Sequence, residues 1–89
     1  MEKRFDIPLK SMIDLLSIRA RAYLLVPEKN KAARCWRSRE IMAYCRAIEE
    51  ITGRNITVQT WDDGRFMIIE NAYEADEIII HEEKVTKSF

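Results

Sequence analysis

From Leu9 to Leu25 apolar residues recur every three or four positions, so that Leu9, Ile13, Leu16, Ala20, Tyr23 and Leu24 fall on one side of an α-helix. A second set, Leu15, Ile18, Ala22 and Leu25, steps by three, four and three along the opposite side. Asp6 ahead of Ile7-Pro8 reads as an N-cap with proline in the first turn, which starts this helix at residue 6. Val26-Pro27 stops it, because the residue before a proline is pushed out of the α region. A helix that is apolar on both sides is usually buried on both or shared with a partner.

Pro27-Glu28 suits the first turn of a second helix, with an acid where the helix dipole favours one. Gly53 closes that helix from the left-handed C′ position. Ser38 is a candidate cap for a fresh start, but no glycine or proline interrupts residues 28–52, and one long helix is expected.

After Gly53 the period changes from about four to two. "NITVQTW" and "RFMIIE" read as strands around the turn "DDG", and "EIIIH" reads as a third strand. Asp63-Gly64 signals a two-residue hairpin loop. Such a loop sets Trp61 opposite Phe66, groups Ile56, Val58, Met67 and Ile69 on one face, and leaves Trp61, Phe66 and Ile68 on the other. The expected fold is α+β, two helices packed on a three-stranded antiparallel sheet in the order ααβββ. The helical half spans 6–53, the sheet half 55–81, and 82–89 is a polar tail.

The length of 89 residues confines the chain to one small domain, and a hydrophobic fraction of 47% is that of a folded protein. The longest apolar run, Ala22 to Val26, is far below the roughly 20 residues a membrane span needs. "MEKRFDIPLK" has no apolar stretch behind its charges, so no secretion signal is expected and the cytoplasm is the default location. Zero net charge hides an asymmetry. Residues 1–54 hold 12 Lys and Arg against 7 Asp and Glu, and residues 55–89 hold 3 against 8. Docking of one half on the other would neutralise that difference internally.

Catalytic chemistry finds little footing. His81 is the one histidine, no Gly-x-Ser-x-Gly elbow is present, and the carboxylates sit at turns and strand ends. Cys35 and Cys45, ten residues apart on one helix, lie about 15 Å apart, too far for a disulfide or a shared metal ion. His81 and Glu83 share a face if the last strand continues, and two ligands on an edge strand are a weak metal signal. No cofactor and no metal are expected. Gly53 and Gly64 stand alone, so no phosphate-cradling loop exists.

The basic stretch "KAARCWRSRE" carries the alternative. A break at Ser38 would give three helices and a hairpin, an order that resembles a winged helix-turn-helix; nucleic acid would then meet Arg34, Trp36, Arg37, Arg39 and Arg46. The same arginines could instead line a pocket for a nucleotide or other anion. Against a nucleic-acid role stand two aspartates at the wing tip and a pI near 6.6. The function expected from the sequence is a non-catalytic interaction module, an adaptor, regulator or inhibitor, that meets a protein partner or a second copy of itself. Its expected interface is Leu15, Ile18, Ala22, Leu25, Trp61, Phe66 and Ile68, because one small core cannot hide this much apolar surface.

Overall fold

In the computed structural model, which describes residues 9–71 and 77–86, two helices lie on one face of an antiparallel sheet. The helices are α1 (Leu9–Leu25) and α2 (Lys31–Thr52). The strands are β1 (Ile56–Thr60), β2 (Arg65–Glu70) and β3 (Ile78–Lys84), side by side in chain order. The ααβββ architecture read from the periodicity is the architecture of the chain. The expected start of α1 at Asp6 and Pro8 lies outside the described residues.

The link between the helices differs from expectation. Pro27 begins a turn, closed by the Asn30 N–H on the Pro27 carbonyl at 3.0 Å, and α2 starts only at Lys31. Asn30 is the cap: its side-chain oxygen accepts from the Ala33 N–H at 3.2 Å and satisfies a donor that no helical carbonyl can reach. The proline and glutamate are a competent first turn, but Asn30 supplies a side-chain acceptor at the N-cap that they lack. From there α2 runs unbroken through Ser38 to Thr52. The three-helix order of a winged helix-turn-helix is therefore not formed. Gly53 ends the helix as expected, with φ of 76° and its N–H on the Glu49 carbonyl at 2.7 Å.

The hairpin corrects the register. Trp61 donates its N–H to the Arg65 carbonyl at 2.9 Å, and Gly64 donates to the Trp61 carbonyl at 3.1 Å. The loop is thus Asp62-Asp63-Gly64, three residues rather than two. A two-residue type I′ loop needs positive φ at both central residues; here Gly64 has it, at 96°, and Asp63 does not. The Asp63 side chain favours this arrangement by accepting from the Arg65 N–H at 3.0 Å. One residue of slip changes which side chains share a face. Thr60 rather than Trp61 faces Phe66, Val58 faces Ile68, and Ile56 faces Glu70.

Phe66 and Ile68 consequently point at the helices and are fully buried, each 0% exposed. They join Ile13, Leu16, Ala20 and Leu24 of α1, Ile41 and Ile48 of α2, and Ile56 of β1 in one core. Their expected place on the outer, interface-forming face is overturned. The other face of the sheet carries Arg65 and Met67 of β2 instead, with Trp61 at the hairpin end; Ile69 shares their side of the ladder but is itself buried, 2% exposed.

The last strand is longer than expected. Residues 82–84 belong to β3 rather than to a tail, and the Val85 N–H bonds the Gly64 carbonyl at 2.7 Å. Pairing runs Arg65 to Lys84, Phe66 to Glu83 and Ile68 to His81, then steps so that Ile69 meets Ile79. Ile80 is the extra residue, a β-bulge. It lets neighbouring residues face the same way: Ile80 packs against the core, and the His81 ring lies 5.7 Å from that of Phe66.

The two charged halves meet through Arg21 of α1 with Glu83 of β3, and Arg54 with Glu70 at 3.5 Å. Among the described residues no helix is long and apolar enough to cross a membrane.

Candidate functional site

The expected interface splits in two. On α1 the core side chains occupy one side, and Leu15, Ile18 and Leu25 stand on the other with 46%, 48% and 47% of their surface exposed. Ala22 lies half-buried between them. Spacings of three, four and three keep these four side chains in one stripe along the helix, the seam along which helices pair. The sheet part of the expected interface does not form one surface. Phe66 and Ile68 are core residues, and Trp61 is half-buried with the Arg65 guanidinium 4.6 Å over its ring.

The basic cluster also divides. Arg34 donates to the Val26 carbonyl at 3.0 Å and stacks 4.6 Å over the Tyr23 ring, which fastens α2 to the end of α1. Arg37 pairs with Glu40 at 3.1 Å, one turn along its own helix. These two arginines were expected to reach a nucleic acid or another anion; both are engaged within the helical half. Trp36, Arg39 and Arg46 remain exposed on the outer side of α2, Trp36 by 62%.

Arg21, His81 and Glu83 form the most connected polar group. Arg21 donates to both Glu83 oxygens, at 2.5 and 3.0 Å, and His81 Nε2 lies 2.8 Å from Glu83 Oε1. The Arg21 guanidinium holds the Glu83 carboxyl below its ordinary range, with His81 contributing further. That His81 and Glu83 share a face was legible in the strand period; their tie to Arg21 was not. Among the described residues, no group of three His, Cys, Asp or Glu side chains is placed to hold a metal ion. Cys35 is exposed, and burial pushes the Cys45 thiol up, which keeps it protonated and a poor nucleophile at neutral pH.

A feature absent from the sequence reading lies between α2 and the free edge of β1. There a groove of about 340 Å³ is lined by Ile41, Met42, Cys45, Arg46 and Glu49 from the helix, and by residues 55–58 from the strand. A smaller depression of about 210 Å³ between Arg39, Met42, Ala43 and Arg46 continues it along the helix. α1 packs over both β1 and β2, whereas α2 packs over β1. The helical layer is therefore shifted across the sheet, and α2 overhangs the β1 edge.

That edge has hydrogen-bonding groups with no partner among the described residues. The Asn71 N–H bonds the Asn55 carbonyl, and Trp61 bonds Arg65, both at 2.9 Å. Antiparallel alternation then assigns the bonded pairs to residues 55, 57, 59 and 61 of this strand. The N–H and carbonyl groups of Ile56, Val58 and Thr60 face away from β2, those of Ile56 and Val58 along the groove. Two adjacent signals in the sequence, a helix with Met42 and Cys45 beside its core stripe and an edge strand, gave no hint of this because their juxtaposition depends on the helical offset.

Comparison with protein-family models, with curated proteins and with solved structures finds no match to this chain.

Proposed function

We propose that the protein is a small non-catalytic interaction module that associates through the outer stripe of α1, with a second copy of itself as the first partner. The observation that carries this reading is the exposure of Leu15, Ile18 and Leu25 on a helix whose other side already forms the core. Large apolar side chains scattered singly need no explanation, but three of them, joined by Ala22 at coiled-coil spacing on one helix, make a contiguous strip. Burying each large one is worth about 1.5–3 kcal/mol, and a domain of this length has little stability to spare.

Light scattering after size exclusion, over a range of concentrations, tests the reading. The wild-type chain should move from one copy toward two as concentration rises. Ile18→Asp should abolish that shift while leaving a cooperative thermal transition, since the side chain is not part of the core. A wild-type protein that stays single-chain at the highest concentration ends the self-association reading.

A second reading rests on Trp36, Arg39 and Arg46, which share the outer side of α2 and are exposed. An aromatic ring followed along the same side of the helix by two guanidinium groups, neither in an ion pair among the described residues, suits a nucleic-acid backbone and a stacked base. A gel shift at low salt with short single- and double-stranded DNA and RNA tests it; a chain that retards none of them removes it.

A further inference from the structure

We propose that the slot between α2 and the free edge of β1 receives an extended segment of another protein as a fourth strand, one whose apolar residues alternate and whose ends are acidic. This surface is separate from the α1 stripe, and the proposal stands whether or not α1 self-associates.

Three observations specify the occupant. The first is the backbone. Ile56, Val58 and Thr60 turn their N–H and carbonyl groups to an edge that no strand among the described residues covers, where only another extended chain can pair with all three in register. β1 also lacks the usual defences of an edge strand: "ITVQT" has no charge and no proline, and no bulge interrupts its pairing. The other edge is defended. β3 carries a bulge and the charged run Glu82-Glu83-Lys84.

The second is the roof. Strand addition brings every second side chain of the newcomer up toward α2, where Ile41, Met42 and Cys45 offer an apolar surface. An apolar side chain at those positions is covered on three sides. A second copy of this domain does not fit, because two β1 edges paired about a two-fold axis normal to the sheet would bring two overhanging α2 helices into the same space. An extended segment without a helix of its own avoids that collision.

The third is charge. Arg46 lines the groove and Arg39 lines the depression that continues it along α2, and neither forms an ion pair among the described residues. Glu49 stands at one end alone. Acids at the ends of the incoming strand complement the two arginines, and a lysine-flanked strand would be repelled.

The test uses the full chain and a blocked synthetic peptide in which valine alternates with threonine and glutamates flank the run, with a lysine-flanked copy as control. Binding is read by fluorescence anisotropy, and the site by amide hydrogen exchange. The glutamate peptide should bind more tightly than the lysine copy by about tenfold and should slow exchange at Ile56, Val58 and Thr60. Thr60→Pro removes one outward N–H without touching the β1–β2 ladder, and should weaken binding by about tenfold. Arg39→Glu with Arg46→Glu, both at exposed positions, should invert the preference between the two peptides. Thermal melts of each variant confirm that it folds. The proposal is overturned if neither peptide binds, if protection appears elsewhere than β1, or if the three amides are already slow in the free protein in a concentration-dependent way. The last result would mean that copies of the chain pair edge to edge.

Discussion

The Val85 carbonyl occupies the position that a side chain on Gly64 would need, while the Val85 N–H bonds the Gly64 carbonyl at 2.7 Å. Gly64 is thus held twice over, by its φ of 96° and by the close approach of the strand end. Gly53 shares the first constraint and lacks the second: with φ of 76°, it has nothing within reach of an added methyl. Gly53→Ala should cost about 1 kcal/mol of stability, the price of the left-handed conformation alone. Gly64→Ala should cost clearly more, because the hairpin must part from Val85. Chemical denaturation of the two variants decides it, and equal losses would mean that Val85 does not seal the hairpin.

The corrected register makes its own prediction. Ile68 lies in the core and Met67 on the open face. Ile68→Ala should destabilise by about 2–5 kcal/mol, while Met67→Ala should cost about 1 kcal/mol or less. If Ile68→Ala fails to fold, Ile68→Val, at about 1 kcal/mol, still gives the comparison with Met67→Ala in urea titrations. A two-residue hairpin would reverse the order of the two losses.

The cap on α2 is testable in the same way. Asn30→Ala leaves the Ala33 N–H without its acceptor and should cost about 1 kcal/mol. Asn30→Asp keeps an acceptor and should cost far less. If the helix instead began at Pro27, the alanine variant would melt with the wild type.

Acid should weaken the fold through Glu83. Its folded-state value is depressed, first by Arg21 and then by His81. A depressed carboxylate contributes fully above its unfolded value, about 4.3, and loses that contribution as pH falls through the lower folded value. Both partners keep contact with solvent, so the contribution is no more than about 1 kcal/mol. Glu83→Gln should therefore melt below the wild type at pH 7, with the gap closing progressively below about pH 4.3. A gap that stays constant into acid would show that the Arg21 contact contributes nothing.

What could be read from the chain was what local periodicity encodes. The four-residue step of α1, the alternation of β1 and β2, the stop at Val26-Pro27 and the Gly53 cap are all short-range preferences, and each lies where expected. The misplacements share a cause: each involved a choice between two acceptable local solutions. Pro27-Glu28 and Asn30 both start helices, and the side-chain acceptor decided. Asp63-Gly64 supports loops of two or three residues, and the Asp63 bond to Arg65 together with burial of Phe66 selected three. Both possible sheet faces were apolar on paper, so hydrophobicity could not discriminate between them. The β1 groove was invisible for a further reason, since it arises from how far one layer is displaced over the other.

The bulge at Ile80 sits within three identical residues, Ile78-Ile79-Ile80. Losing one of them would leave an isoleucine beside Ile69 and convert the irregular ladder to a regular one, with His81, Glu83 and Val85 still in their places. Gaining or losing a residue after His81 would instead rotate Glu83 away from Arg21 and Val85 away from Gly64. Length variation in this strand is therefore tolerable on one side of the histidine and ruinous on the other.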